Sequence, residues 1–342
     1  MKKTLAIAIA AAFAVPMSVM ADTTLYGSAH ASLDSVDVDQ PGVSNNTSYS
    51  NNKSYLGVKG SEKITDGLSA VYKIEFGPAF GSGRGLSDRD QYVGLSGNYG
   101  TLVAGRASTP YKIVGAKADL FWYSQLGSNR FVTGPDARAN NVIAYFTPKM
   151  GGFSAALATV TEGVTGTAND NVRANSANAF YKAGGLMVGL GLEDSSISGD
   201  SVDKRLMASY DTGKFKVVGF AERHDNLAGG ALGANSGTQL GDHNVYGLGA
   251  SVKTGRGAVK AQYYVDNAKD VANADSKMFA IGYDHNLSKR TTVYAQYATM
   301  NNETNARLAL AGGGTGGHSA GVATTAGGQD QSGISLGIKH DF

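Results

Sequence analysis

Side chains that could ligate a metal or act as nucleophiles are few in this chain, and they are scattered. It has no cysteine, so neither disulfides nor thiolate metal sites can form. A Gly-rich run at 312–319 lacks the Lys-Ser/Thr ending of a phosphate-binding loop. None of the histidines shows the short spacing typical of zinc sites; they are His30, His224, His243, His285, His318 and His340. We therefore expect no metal, no cofactor and no enzymatic activity.

The remaining residues that could act chemically are the charged side chains, and their positive and negative charges nearly balance. The chain has 30 Lys and Arg residues against 28 Asp and Glu residues, and removal of a leader containing Lys2 and Lys3 makes these numbers equal. A neutral chain gives no reason to expect nucleic acid as a partner. Any selection among ions must come from charges placed locally.

The first 21 residues predict a secretory signal. Lys2 and Lys3 precede an apolar run from Leu5 to Val15, and the small residue Ala21 follows as a cleavage position. This run is too short to span a bilayer as a stable helix, although a retained anchor helix is the alternative. We expect residues 1–21 to be removed and residues 22–342 to form one domain.

The rest of the chain is dominated by apolar and polar residues that alternate with a period of two. Clear examples are 68–76, 186–193, 245–252, 259–265 and 279–285. This period predicts strands whose two faces meet different environments. With 47 glycines and 17 tyrosines, and without a sustained helical period, the sequence indicates an all-β protein. Alternation breaks at 214–224, which is compatible with a bulge.

Short turns alternate strictly with long polar connections. Counting gives sixteen strands, seven short turns and eight long connections, so both chain ends lie on one side. The long connections are 35–52, 78–88, 107–137, 161–174, 195–203, 225–243, 267–276 and 301–330. Outer-membrane barrels have this asymmetry, and their closure pairs every backbone group, as a bilayer requires. The pattern predicts a sixteen-stranded antiparallel transmembrane β-barrel.

The two ends of the chain are predicted to pair. The first strand is expected at 23–34, directly after the cleavage site, and the last at 334–342. In the last strand, alternate residues from Ile334 to Phe342 form one apolar face. Closure of the ring explains why the chain ends on an aromatic residue at the periplasmic interface.

Several blocks of the chain resemble general diffusion porins of Gram-negative bacteria, most closely the neisserial and β-proteobacterial type. The blocks are "TLYG" at 24–27, "YLGVKGSEKITDGLSAVYKIE" at 55–75, "YVGLSGNYGTLVAGR" at 92–106, "RANNVIAYFTPKMGGFS" at 138–154, "YDHNLSKRTTVYAQY" at 283–297 and "GISLGIKHDF" at 333–342. The resemblance implies an outer-membrane homotrimer that passes small hydrophilic solutes and ions passively, with the third long loop folded inward. It also implies that the barrel assembly machinery reads Phe342.

The resemblance further implies a ladder of arginines on the wall across from the third loop, where lining charges select ions. Arg106 and Arg138 match two positions of this ladder. At a third position close relatives carry Arg before "LG", whereas this chain has Tyr55. Lys59 and Lys53 lie on the same strand face as Tyr55, and either could restore the charge.

Counting alternate residues along each strand places the two arginines on different faces of the sheet. Arg138 shares a face with Val142, opposite the lipid-type Ile143, and is therefore predicted to point inward. Arg106 falls on the lipid face unless Gly105 interrupts the strand. For both arginines the alternative is a rim charge among the headgroups.

The third long connection carries a small positive excess. Its charged residues are Lys112, Lys117, Arg130, Asp119 and Asp136. Many cation-preferring porins have an acidic cluster in this loop, and none is visible here. We therefore predict a pore with weak anion preference. The bulky run at 119–124 is expected to pack the loop against the wall, and Trp122 to serve only that packing.

Two other function classes stay open. A barrel hydrolase needs an acid, His or Ser cluster, which does not stand out but which distant strands could assemble. An adhesin would use the long loops to bind a host partner. In every case we expect contact with the lipid bilayer and with lipopolysaccharide.

Overall fold

The computed structural model describes residues 23–39, 46–78, 80, 85–122, 124–134, 136–161, 174–195, 201–227, 241–310 and 327–342. The predicted signal, residues 1–21, lies outside these residues. Within them, no helix is long and apolar enough to cross a membrane.

Seventeen strands form in the described residues, and all belong to one sheet. They are β1 (Thr24–Val38), β2 (Asn46–Asn51), β3 (Tyr55–Thr65), β4 (Leu68–Gly77), β5 (Ser87–Gly97), β6 (Gly100–Ser108), β7 (Arg138–Phe146), β8 (Phe153–Val160), β9 (Ala174–Ala183), β10 (Leu186–Ser195), β11 (Ser201–Asp211), β12 (Phe215–Leu227), β13 (Gly241–Thr254), β14 (Gly257–Ala268), β15 (Ser276–Asn286), β16 (Thr291–Asn302) and β17 (Gln331–Asp341). One helix, α1 (Pro110–Ala118), and a 3-10 turn at Asn129–Phe131 lie between β6 and β7.

The second strand of the barrel is interrupted and consists of two segments, β2 and β3. Seventeen strand segments therefore occupy sixteen positions in the ring. Both β2 and β3 pair with β1, one after the other along its length. Between them Lys53 has a φ of 57°, outside the strand region. Ser54 keeps the contact with β1, because its hydroxyl donates to the His30 carbonyl (3.1 Å) and accepts from the His30 amide (2.9 Å). The sequence pattern missed β2, which it placed in a long connection, and ended β1 at 34 rather than at Val38.

The ring closes between the first and the last strand. Antiparallel pairing of β1 with β17 runs from Ser28 and Asp341 to Val38 and Gln331. Beyond it, Gly27 and Phe342 exchange two backbone hydrogen bonds of 3.0 Å each. The prediction of a closed sixteen-stranded antiparallel barrel is confirmed.

The two faces of the strands follow the predicted alternation. On β17, Ile334, Leu336 and Ile338 are exposed on the outer surface, whereas Gln331 and Ser335 are buried inside. An exposed apolar band is what a hydrocarbon environment stabilises. In β12 the predicted irregularity at 214–224 is absent: pairing with β13 is regular to His224, and the register shifts between His224 and Leu227.

A part of the last long connection is folded into the barrel rather than outside it. Ala306, Leu308 and Leu310 are buried, and the two leucines belong to an apolar cluster that includes side chains of the β6–β7 connection. The Asn302 amide donates to the Leu308 carbonyl (2.9 Å), and the Leu310 amide donates to the Gln331 side chain (2.9 Å). The first part of the long connection predicted at 301–330 therefore lies inside the barrel; residues 311–326 lie outside the described residues.

Candidate functional site

The connection between β6 and β7, residues 109–137, is here called loop 3. Its described residues, 109–122, 124–134, 136 and 137, enter the barrel and pack on one half of the wall. Thr109 caps α1, and its side chain accepts a hydrogen bond from the Lys112 amide, while proline occupies the first helical position. The contacts of α1 concentrate on β8–β12. The Tyr111 amide donates to the Ser176 hydroxyl (2.9 Å), and the Asn178 amide group donates to the Pro110 carbonyl (2.7 Å).

Beyond α1, loop 3 follows the wall to β14 and β16. The Leu120 amide donates to the Gln262 side chain (3.2 Å), and Gln262 donates in turn to the Gly127 carbonyl. Gln296 donates to the Leu126 carbonyl (2.9 Å). Side-chain amides are suited to this task, because one group both donates to and accepts from an irregular backbone.

A buried ion cluster, here called the loop 3 anchor, holds the returning part of the loop. It consists of Arg205 on β11, Glu222 on β12 and Asp136 in the loop. Arg205 lies 2.6 Å from Glu222 and 2.9 Å from Asp136, and it is fully buried. The Glu222 carboxylate also accepts from the Gly134 amide (2.6 Å). Breaking such a buried pair on one side typically costs about 3–5 kcal/mol, since the remaining charge stays buried without its partner.

Two histidines extend this cluster along the wall. Both ring nitrogens of His224 face carboxylates: Nδ1 lies 2.6 Å from Asp203, and Nε2 contacts Glu222. The ring stacks on His243 at 4.3 Å, and His243 pairs with Asp266 at 2.8 Å. Gly134 is required next to this stack, because a Cβ there would collide with the His224 ring. With both nitrogens engaged, His224 has none directed at a hydroxyl that it could activate.

Half a ring away from α1, the wall formed by β3–β5 carries a second ion cluster. The β4–β5 register shifts between Ile74 and Phe76, so that two residues, Arg89 and Asp90, stand opposite Glu75. Arg89 pairs with Glu75. A bulge of this kind turns an additional side chain towards the same region.

Lysine and arginine residues link this cluster to the start of β7. Lys73 lies 2.9 Å from Asp90 and 3.3 Å from Glu75, and Arg138 lies 2.5 Å from Asp90. The Tyr26 hydroxyl donates to Glu75 (2.9 Å). The carboxylates thus fix the positions of the cations without removing the surplus of positive charge.

Arg89 is the residue that reasoning from the sequence missed. Its guanidinium lies 5.0 Å from the centroid of the Tyr55 ring, at the place where the resemblance lacked an arginine. Lys59, the predicted substitute, lies 4.9 Å from the Tyr26 ring centroid instead, and Lys53 lies at the interruption between β2 and β3. An alternating pattern gives no signal for Arg89, because the bulge is what brings it inward.

The structure brings Arg138, Tyr55 and Lys59 to this wall but places Arg106 elsewhere. Arg106 is the cross-strand partner of Gln91, which in turn pairs with the exposed Ile74. Its guanidinium donates to the side chain of Asn140, which is exposed. The register shift at this point adds a residue to β7 and not to β6, so the parity of β6 is kept. Arg106 is thus a rim charge on the outward face, and its assignment to the constriction is corrected.

The charged residues predicted in loop 3 have distinct environments. Asp119 is buried at the end of α1, where it accepts from the Phe121 amide (2.9 Å) and the Ser128 hydroxyl (2.7 Å), and so it stabilises the loop. Lys117 is exposed, whereas Arg130 is buried with its guanidinium 4.5 Å from the Phe131 ring centroid.

Lys112 is a buried cation in the helix of loop 3. Its ammonium group donates to the Asp136 carbonyl (3.3 Å). Burial, together with the nearby charge of Arg138, lowers the pKa of Lys112 to about 8. Its charge is therefore sensitive to pH in a range where the arginines are not.

Trp122 departs from the packing role expected for it. The side chain is half exposed, its φ is 36°, and the ammonium group of Lys339 on β17 lies 5.0 Å from its ring centroid. It presents an aromatic face to a cation across the barrel interior.

Comparison with known proteins agrees with this architecture. A family model described as Gram-negative porin matches residues 6–305. The chain is 32% identical over 369 residues to outer membrane porin protein 32 of Delftia acidovorans, and the alignment covers 100% of both chains. It is 27% identical over 326 residues to major outer membrane protein P.IB of Neisseria gonorrhoeae, covering 85% of this chain and 91% of the relative.

Solved structures show the same fold. The anion-selective porin from Comamonas acidovorans has a TM-score of 0.75 at 29% identity, covering 94% of this chain and 99% of that chain. Salmonella typhi OmpF, in complex with daunomycin, has a TM-score of 0.69 at 16% identity, covering 94% and 97%, and supports the fold alone. The family match over most of the sequence and the full-length relatives show that this chain belongs to the Gram-negative porin family and lies in the outer membrane.

Proposed function

We propose that the chain forms a passive, water-filled channel for small hydrophilic solutes and ions, with weak anion preference. The observation that carries the proposal is the surplus of cations between the β3–β5 wall and loop 3. The cations are Lys59, Lys73, Arg89, Arg138, Lys112 and Arg130, and the carboxylates among them are Glu75, Asp90 and Asp136. Asp136 is already paired with Arg205, which leaves the passage more positive. Lining charge of one sign selects ions of the other.

The relatives support the sign of this selectivity. One of the similar solved structures is named as an anion-selective porin. In a channel with fixed positive charge, salt screens the preference, so it weakens as the Debye length falls from about 10 Å at 0.1 M to about 3 Å at 1 M. The test is the reversal potential of single channels in a planar bilayer across a salt gradient. A clear cation preference at low salt would refute the proposed basic constriction.

We prefer a channel over a barrel hydrolase because both ring nitrogens of the buried His224 contact carboxylates of the cluster that anchors loop 3. His224 and its neighbours lie behind Gly134. Esterase and peptidase assays on the purified protein separate the two functions: turnover that is lost in His224→Asn would establish catalysis.

We further propose that three copies assemble, that residues 1–21 are removed before assembly, and that the barrel assembly machinery recognises Phe342. The exposure of Phe342 at the closing strand supports its availability to a receptor. In the outer leaflet the barrel contacts lipopolysaccharide. Crosslinking of the purified protein, with trimers expected, tests the assembly.

A further inference from the structure

Asp34 on β1 carries a carboxylate that is enclosed inside the barrel. Its side chain is fully buried. Its two cross-strand partners are Ser48 on β2 and Ser335 on β17, so the three side chains form one row across the closure of the ring. No lysine or arginine among the described residues forms an ion pair with Asp34. Because a buried charge without a partner is strongly unfavourable, this carboxylate requires another source of positive charge.

The side chains around this carboxylate present oxygen atoms to it. The Ser32 hydroxyl donates to Oδ2 of Asp34 (2.8 Å). The hydroxyls of Ser50 and Ser335 also interact with the carboxylate, but neither reaches hydrogen-bond geometry. Oδ1 of Asp34 and the Ser48 hydroxyl are likewise buried without a hydrogen-bond partner. Buried polar atoms are normally paired, so this group of oxygens indicates a further occupant between them.

Asn52 adds a carbonyl oxygen whose position is fixed by its amide nitrogen. Nδ2 donates to the hydroxyls of Ser32 (2.8 Å) and Tyr294 (3.2 Å), whereas Oδ1 is buried without a partner. Residues 50–52 are all buried, which regular alternation along a strand does not allow. The interruption of the second barrel strand at Lys53 therefore brings an additional polar side chain to this compartment.

An apolar layer closes this compartment towards the long-connection end of the barrel. Val36 is the next inward residue on β1, and it belongs to one buried cluster with Leu126 of loop 3 and Leu310. A Cβ on Gly333, the cross-strand partner of Val36, would lie 2.9 Å from Leu126 and 3.4 Å from Val36, so these side chains meet above the row. Charges enclosed in this way are screened far less than charges exposed to the passage.

We propose that a monovalent alkali cation binds at Asp34 and joins β1, β2 and β17 where the ring closes. Its ligands are the Asp34 carboxylate, the hydroxyls of Ser48, Ser50 and Ser335, and the side-chain carbonyl of Asn52. Oxygen atoms are the ligands that hard cations prefer, and hydroxyl and amide oxygens supply them without further charge.

The charge of the ligands selects a monovalent ion. One carboxylate among neutral oxygens balances one positive charge, whereas a divalent ion would leave a net charge buried. In the part of the chain that the structure describes, no three His, Asp or Glu side chains are grouped so that they could hold a metal ion. The bound cation neutralises Asp34, so this carboxylate does not oppose the positive surplus of the passage. The inference rests on the fold and these contacts, and not on the proposed ion selectivity.

The test in solution is the rate at which the detergent-purified barrel unfolds in urea, in sodium, potassium or choline chloride of equal ionic strength. A cation that binds only the folded barrel favours it by a factor that reaches about elevenfold at about ten times the dissociation constant, so unfolding should slow by up to this factor. Asp34→Asn should unfold equally fast in all three salts. Asp37→Asn, exposed on the outer face of the same strand, should keep the wild-type dependence. Equal wild-type rates in the three salts would overturn the site.

The site is located by anomalous diffraction from wild-type crystals in which thallium(I) acetate replaces the alkali salt. We expect a difference peak in contact with the Asp34 carboxylate, and its absence there while thallium slows unfolding would overturn the location. Calcium that slows unfolding at far lower concentration than sodium would assign a divalent site and overturn the inference. An infrared band of a protonated carboxyl group, present in sodium chloride and lost in Asp34→Asn, would do the same, because a neutral Asp34 needs no cation.

The reversal potential separates this inference from the channel proposal. Asp34→Asn replaces a neutralised carboxylate by a neutral amide, so its reversal potential should equal that of the wild type. A shift towards stronger anion preference would show that Asp34 acts as a free negative charge, and it would overturn the cation site. A wild-type pore that prefers cations would refute the basic constriction and leave the dependence of unfolding on Asp34 unaffected.

Discussion

Replacement of Arg138 by Gln is the sharpest perturbation of the proposed selectivity. It removes one positive charge and leaves Asp90 with Lys73, 2.9 Å away, as its remaining cation. A unit charge acts on an ion about 4 Å away with about 1 kcal/mol in bulk water and about 4 kcal/mol at an effective dielectric constant of about 20. A water-filled passage lies near the lower value. One to two kcal/mol corresponds to a factor of about 5 to 30, so we expect the anion-to-cation permeability ratio to fall at least about fivefold.

The assay is the reversal potential of single channels at about 0.1 M salt, repeated at about 1 M, where screening should shrink the shift. Lys59→Gln should shift the potential in the same direction but less, because its exposed ammonium is better screened. Glu75→Gln should shift it the opposite way, since it removes a buried negative charge from the same cluster. Lys277→Gln, on the outward face of β15, is the control. Equal effects of Arg138→Gln and the control would refute the assignment of the constriction.

Three more outcomes are expected. Raising the pH from 7 to 9 should reduce anion preference, because Lys112, with a pKa of about 8, loses its charge; Lys112→Gln should abolish this dependence, and its persistence in the variant would point to another group. Glu222→Gln should weaken the loop 3 anchor, so that trypsin cuts at Lys117 in a barrel that stays intact on gels, whereas Glu62→Gln should leave loop 3 resistant. Deletion of Phe342 should lower the yield of heat-resistant barrel far more than deletion of Gly313, because it removes two hydrogen bonds of the closing pair; equal yields would contradict this role.

The alternation of apolar and polar residues, together with the lengths of the connections, was sufficient to predict the closed sixteen-stranded barrel. Period-two patterns are local, and the register of each hairpin is set by its short turn, so the faces of β17 could be assigned from Ile334 to Phe342 without coordinates. The placement of Arg106 shows the strength of this signal: parity put it on the lipid face, and the structure does the same.

The charged sites could not be predicted to the same extent, because they depend on irregularities and on distant partners. Arg89 faces Glu75 because of a register shift, and this shift cannot be recognised from the alternation of apolar and polar residues. The loop 3 anchor joins Arg205 to Asp136, 69 residues away in sequence. Leu308 and Leu310 lie in a connection of mostly polar and glycine residues. Two leucines in such a connection do not predict an apolar cluster inside the barrel.

Closure between β1 and β17 has a consequence for biogenesis. The partner of Ser28 is Asp341, so β1 has no permanent neighbour on that side until β17 has been synthesised. Pairing of the two ends of the chain carries the greatest loop-closure cost in the molecule and is therefore expected late in folding. Until then, two open sheet edges can template aggregation, and a chain that lacks its end keeps them permanently. Because Phe342 is part of the closing pair, a receptor that recognised it would select chains that can close the ring and reject chains that lack the closing residues.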